Sequence, residues 1–333
     1  MRITRLLPLL GILAIFLPLV RTAEHPAPDP VVTHLVLGGD VMLSRHVARV
    51  ARERNDPAFP LRDLAPVLQA ADIAFVNLES PFSDRGAVVQ RGMIFKAEPE
   101  MIAALELAGV DVVSTANNHA RDQGSHGVEF TLDWLQRHQI AAVGTGSSAE
   151  AAHAGVVIER NGIKFGFLGY TYDQSNGNHT DMDDRVAVMD VVRMRQDVAQ
   201  LATRADAIIV SMHAGIEYSP KPNAQQVAFA RAAIDAGASV VVGHHPHVTQ
   251  SWERYGQGVI FYSLGNLVFD QFQRVETQRG ALADIVFEGP RLARASLLPV
   301  DIVGTAPRLA VVKPASTSIA GSSDGSSVGP GEK

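Results

Sequence analysis

Five short apolar runs in this chain change character at one end only, each time into residues able to bind a metal or move a proton. Leu35-Val36-Leu37 runs into Gly38-Gly39-Asp40, and Ile73 to Val76 into Asn77-Leu78-Glu79. Val110 to Val113 leads to Asn117-Asn118-His119, and Ala207 to Val210 leads to Ser211-Met212-His213. Val240 to Val242 meets Gly243-His244-His245-Pro246-His247. Helical patterns alternate with these runs, which marks an α/β protein. In such folds the carboxyl ends of the strands open on one crevice, so residues far apart in sequence converge there. Five of the 12 histidines occupy these endings.

The remaining pattern supports the same class. Leu61 to Ala71 reads as a helix with Leu61, Leu64, Leu68 and Ala71 on one face. Pro99 to Leu107, Val128 to His138 and Gln225 to Ala236 read likewise. Asn161-Gly162, between two apolar runs, predicts a tight hairpin, because both residues tolerate positive φ. Leu282 to Phe287 and Ala293 to Ile302 read as closing antiparallel strands. Hydrophobic residues at 46% and charged residues at 19% fit a globular body.

The two ends differ from this body. Arg2 and Arg5 precede an uncharged stretch from Leu6 to Val20, and Arg21 closes it. Residues 1–23 therefore read as a secretory signal peptide or an uncleaved N-terminal anchor, and the rest as exported, periplasmic or extracellular. A Pro-rich linker follows over 24–32, then one domain over 33–312, then a Ser/Gly/Pro tail over 313–333 that reads as disordered.

With no cysteine, disulfides, thiolate zinc sites, iron–sulfur clusters and Cys nucleophiles are excluded. A net charge of −6 argues against a nucleic-acid partner, which needs a basic face. The strand-end donors are oxygen and nitrogen only. That chemistry suits one or two divalent ions such as Mn²⁺, Zn²⁺ or Fe, able to bind a phosphoryl oxygen and acidify water. Alternatives remain at single positions. Asp40 is also a plausible helix cap, Asn77 rivals Glu79 for a bridging place, and His244 and His245 are not separated as ligands. Asp122 either orients His119 or caps the Gln123-Gly124 turn. Arg45 and Lys96 are candidate cations for an anionic substrate, while Asn266 and Asp270 read as supports of the rim. Gly144-Thr145-Gly146-Ser147-Ser148-Ala149 imitates a dinucleotide turn, but Glu159 comes too early for a ribose contact. Neither a Walker motif nor a Gly-x-Ser-x-Gly elbow is present.

Several longer strings carry a family resemblance. They are Gly39-Asp40-Val41-Met42-Leu43-Ser44-Arg45, Asn77-Leu78-Glu79-Ser80-Pro81, Phe95-Lys96-Ala97 and Asn117-Asn118-His119-Ala120-Arg121-Asp122-Gln123-Gly124. Gly243-His244-His245-Pro246-His247-Val248-Thr249-Gln250 and Ser263-Leu264-Gly265-Asn266-Leu267-Val268-Phe269-Asp270-Gln271 follow in order. The series, over roughly Leu35 to Val303, resembles that of the CapA family of poly-γ-glutamate capsule biosynthesis proteins, itself similar to calcineurin-like metallophosphoesterases. The resemblance implies a two-sheet β-sandwich flanked by helices, a four-layer αββα arrangement with metal at the loop end. It implies Asp40, Glu79, Asn118, His213, His245 and His247 as metal ligands and His119 as catalytic acid or phosphate contact, with Asp122 beside it. It also implies an anionic polymer or phosphoester as substrate, and membrane-bound polymer synthase components as partners. One departure stands out: Asp40-Val41-Met42 replaces the superfamily's Asp-x-His, which removes a hard donor. Ala214 replaces the usual aromatic after the lone His.

Overall fold

Leu35, Val36 and Leu37 are completely buried, as expected for a strand packed on both faces. They lie in the central strand β1 (Val32–Val41). The computed structural model describes residues 31–85, 92–173 and 184–311. The expected leader, most of the linker and the tail lie outside these residues.

After β1 come α1 (Arg45–Glu53), α2 (Ala65–Gln69), β2 (Ile73–Leu78), α3 (Ile102–Ala108) and β3 (Val112–Ser114). Next are α4 (Gly124–Arg137), β4 (Ala141–Val143), α5 (Ala149–His153), β5 (Val156–Arg160), β6 (Ile163–Thr171) and α6 (Val191–Leu201). Then follow β7 (Ala207–His213), α7 (Ala224–Asp235), β8 (Val240–His244), β9 (Trp252–Tyr255) and β10 (Gly258–Phe261). The chain closes with β11 (Asn266–Val268), β12 (Arg279–Glu288), β13 (Arg291–Val303) and β14 (Ala306–Leu309).

Two sheets result. The first has the order β14-β13-β12-β1-β2-β3-β4, with β11 also paired to β1; the second runs β5-β6-β7-β8-β10-β9. β1 to β4 are mutually parallel, as are β6, β7, β8 and β10. Between the sheets, Leu35, Leu37, Ile73 and Phe75 of the first meet Phe165, Phe167, Ile209, Val240 and Val242 of the second. Helices α1 to α4 cover the outer face of the first sheet. Helices α6 and α7 cover that of the second. This is the four-layer αββα sandwich expected from the sequence. At the β5–β6 hairpin, Asn161 and Gly162 take φ of 55° and 77°, the left-handed pair that such a turn requires.

One expected element takes a different form. In place of a single helix over Leu61 to Ala71, a 3-10 turn (Phe59–Leu61) and the short α2 form. Pro66 explains the break: its ring lacks an N–H and would clash with the carbonyl one turn earlier, so a helix can begin at Ala65 but not run through from Leu61. The Gly144–Ala149 turn serves α5, where the Ser148 hydroxyl accepts from Ala151 N.

Candidate metal centre

At the end of β1 the chain must pass very close to β11. A Cβ at Gly39 would stand 2.0 Å from the Gly265 carbonyl oxygen, so only glycine fits. Asp40 N donates to that same oxygen (3.0 Å), which fixes the buried Asp40 carboxylate between the sheets. Parallel pairing sets Asn77 opposite Asp40. Asn77 Nδ2 then reaches Asp40 Oδ1 at 2.8 Å, Glu79 Oε2 at 3.5 Å and His213 Nδ1 at 3.3 Å. Asn77 and Glu79 are two residues apart and share a strand face. From the second sheet, His213 and His244 lie directly opposite each other in β7 and β8.

Beyond β8 the backbone turns sharply. His245 and His247 take φ of 96° and 58°, a conformation that L residues seldom adopt and that tends to mark a functional site. The turn delivers His247 to the carboxylates. Its Nδ1 lies 3.4 Å from Asp40 Oδ2 and its Nε2 3.8 Å from Glu79 Oε1. Asp40, Glu79 and His247 each offer one ligand atom, all within 4.8 Å of one another, and all three residues are buried. His244 Nδ1 is 3.5 Å from Asp40 Oδ1. His213 Nε2 contacts Asn118 Oδ1 at 2.8 Å. The His245 N–H donates to Asp40 Oδ2 (3.3 Å), and the His245 ring lies 4.9 Å from that of His213. Asn266 Oδ1, at 3.0 Å from His247 Nδ1, orients that ring.

These groups fit a cation. Glu79 Oε1, both ring nitrogens of His244 and His245 Nδ1 are buried with no hydrogen-bond partner among the described residues. Each such orphan costs on the order of 1–3 kcal/mol unless something binds it. Burial first, and then the Asp40 charge, hold the Glu79 carboxyl well above the usual carboxylate range. Burial also opposes ionisation of Asp40, but His244 and His247 beside it prevail and keep it well below that range. Burial and then His245 push His213 well down; burial and then His247 push His245 down to about 3. Neutral imidazoles beside a carboxylate are the form in which these side chains ligate a metal.

A second constellation adjoins the first. Asp122 Oδ2 lies 2.6 Å from His119 Nδ1 and accepts the Phe95 N–H at 2.6 Å. The His119 ring stacks on Phe95 with centroids 3.9 Å apart, and the His119 backbone N–H donates to Asn117 Oδ1 (3.1 Å). Asn117 also clamps the second strand end, donating to Leu78 O at 2.8 Å.

Other expected residues stand differently. Arg45 is spent on Asp270, which both Nε and Nη2 contact, and lies 5.1 Å over Phe95. Lys96 Nζ pairs with Glu98 at 2.9 Å, a half-buried ion pair. Met42 is fully buried in the outer apolar cluster with Leu43 and Val47. Its sulfur accepts from Ser44 N (3.2 Å) and Oγ (3.1 Å). The orienting roles of Asn117 and Asn266 have no sequence signal beyond their place in the strings. The tyrosines Tyr172 (4.8 Å from the His245 ring) and Tyr218 (6.3 Å from His247) had none at all.

The model of the family described as "Bacterial capsule synthesis protein PGA_cap" matches residues 34–271. The chain is 30% identical to the capsule biosynthesis protein CapA of Bacillus anthracis, over 91% of this chain and 76% of that one. It is 32% identical to the PGA biosynthesis protein CapA of Bacillus subtilis, over 79% and 70%. A probable polyglutamine synthesis accessory protein of Mycobacterium tuberculosis is 29% identical over 73% and 76%. Two solved structures share the fold. One is a hypothetical protein from Thermus thermophilus (TM-score 0.52, 18% identity, 81% of this chain and 100% of that one). The other is the NAD nucleotidase of Haemophilus influenzae (0.51, 10%, 82% and 51%). Motif order, sandwich and sequence likeness agree, and the chain belongs to the bacterial capsule synthesis protein family, on a metallophosphoesterase-like fold.

Proposed function

We propose that this chain is an exported protein of anionic-polymer capsule biosynthesis, of the poly-γ-glutamate kind, with a metal-dependent phosphoesterase-like site. The observation that carries the reading is the buried meeting of Asp40, Glu79 and His247 beside histidine nitrogens that have no hydrogen-bond partner among the described residues. Asp40, Glu79 and His247 would hold a divalent ion, with His213, Asn118 and the His244–His245 pair beside them. Such an ion supplies Lewis acidity toward a phosphoryl oxygen and toward water. The chain's own part is proton delivery. Asp122 holds the Nδ1–H of His119, which leaves Nε2 to carry a proton to a leaving oxygen. Asn117 ties this histidine to the ligand cluster: its Oδ1 takes the His119 backbone N–H and its Nδ2 donates to Asn77 Oδ1 at 3.4 Å. Export rests on the basic and apolar leader. Membrane-bound polymer synthase components are the partners that fit such a location.

Turnover of an aryl phosphate by the purified protein, with Mn²⁺ and after chelation, tests the reading. Metal-dependent turnover supports it; stoichiometric metal without turnover on several phosphoesters overturns the hydrolytic part. Fractionation of cells expressing the full chain tests export, which a wholly cytoplasmic location overturns. Met42 favours a second reading: with its sulfur in the core, the Asp-x-His donor is missing. An accessory protein that binds metal and polymer without hydrolysis is consistent with that loss.

A further inference from the structure

Two cations were expected to meet an anionic ligand, and both are occupied: Arg45 by Asp270 and Lys96 by Glu98. A third, exposed on the 271–278 loop, stands without an acidic partner. Arg274 pairs with no carboxylate among the described residues, and its guanidinium lies 4.8 Å over the ring of Tyr218. That ring in turn faces His247. We propose that Arg274, held over Tyr218, recognises a second acidic group of the ligand, one aromatic ring outward from the group that the metal cluster receives.

Three observations converge on this. The Arg274 backbone is pinned, since its carbonyl accepts from Thr277 Oγ1 (3.0 Å) and Gln278 Nε2 (3.1 Å). The same loop is tied to the centre: Asn266 Nδ2 donates to Thr277 O (2.9 Å) and to Gln271 Oε1 (3.2 Å), while Asn266 Oδ1 contacts His247. Tyr218 is fixed as well. Its φ is 62°, its N–H donates to Pro246 O (2.8 Å), and Gln271 Nε2 donates to its hydroxyl (3.4 Å). The backbone that carries Arg274 and the ring beneath its guanidinium are thus held in place, and a guanidinium binds an oxyacid through two parallel N–H donors. Glu217 precedes Tyr218 and Glu276 follows Arg274 by two residues, and among the described residues neither is paired with the guanidinium. Exposed Ile216, Phe272 and Val275 lie on the same two loops and offer apolar cover to a ligand's methylene stem.

The ligand chemistry is a molecule with two acidic groups, either successive carboxylates of a polyacid or a phosphate with a distal acid. It rests on the polymer role proposed above but not on hydrolysis. The test is fluorescence anisotropy with a labelled γ-linked decaglutamate and the full-length protein plus Mn²⁺, alongside displacement by inorganic phosphate. Arg274→Ala should weaken the decaglutamate by about tenfold and inorganic phosphate little. Tyr218→Leu should weaken the decaglutamate similarly, and Tyr218→Phe should keep most of the affinity, since the ring remains. Arg52→Ala, an exposed arginine of α1, controls for bulk charge and should change nothing. Equal affinity for wild type and Arg274→Ala, equal loss in Arg52→Ala, or no binding by the wild type overturns the proposal. Equal loss of decaglutamate and inorganic phosphate in Arg274→Ala assigns the arginine to the reacting group and overturns it too. None of these outcomes depends on turnover, so a failure of phosphoesterase activity is read separately.

Discussion

Asp122 Oδ2 sits 2.6 Å from His119 Nδ1 while the same oxygen takes the Phe95 N–H. The imidazole is therefore held from below by the acid and from one face by the Phe95 ring. Replacing His119 by Ala should lower phosphoesterase turnover by about 10²–10⁴-fold with metal content unchanged. Asp122→Asn should lower it by about 10–100-fold. Steady-state rates read beside metal analysis check both; equal rates in His119→Ala remove it from the chemistry.

Metal retention should follow the cluster. His247→Ala and Asp40→Asn should each weaken Mn²⁺ at least about tenfold, whereas Lys96→Ala, whose ammonium is paired with Glu98 away from the cluster, should leave it alone. Ion saturation at about 100 times Kd should add about 2.7 kcal/mol to stability, visible as a rise in melting temperature that EDTA reverses. A melting curve indifferent to both ion and chelator would contradict the site.

The metal-free protein should lose stability in mild acid. His245 is held neutral to about 3 against an ordinary 6.5, and His213 is shifted the same way. Below pH 6.5 the unfolded chain takes up protons there that the native state refuses. Each group then costs about 1.4 kcal/mol per pH unit until its native value is reached. Glu79 works oppositely: its raised value makes the native state bind the extra proton, so its penalty grows as pH climbs above 4.5 toward the native value. Denaturant midpoints between pH 4 and pH 7 test the histidine part, and a Glu79→Gln variant separates the two.

Close backbone passage predicts a severe fold defect. Gly39→Ala would place a methyl 2.0 Å from the Gly265 oxygen, and Gly243→Ala one 2.0 Å from the Tyr262 oxygen. In both cases the obstacle is main chain and cannot move aside, so each should cost more than about 4 kcal/mol or abolish soluble expression. Gly162→Ala, with nothing within 4 Å but φ of 77°, should cost only about 1–2 kcal/mol. Chemical denaturation of the three variants ranks them.

What could be read in the sequence follows from what the chain repeats. Strands such as Val240–His244 announce themselves because a doubly covered strand must be apolar throughout and can turn polar only at its exit. Helix α1 does not, since only Val47, Ala48 and Ala51 of it are buried and arginines dominate the rest. The cluster's members were legible as strand endings, yet His244 and His245 could not be told apart. Their directions depend on the left-handed backbone at His245, which leaves no trace in composition. Lys96 sat in the right motif but turned to Glu98. Arg274 has no motif of its own; its place depends on Tyr218, a contact across 56 positions that only the fold makes.

Asp40 comes from one sheet and His213 and His244 from the other, so the distance between prospective ligands is set by the thickness of the greasy layer separating the sheets. The stacked Phe75 and Phe167 rings, 6.1 Å apart, act as a spacer between two jaws. Trimming either ring would be felt as a change in which ion the jaws grip, even though neither phenylalanine carries a donor atom.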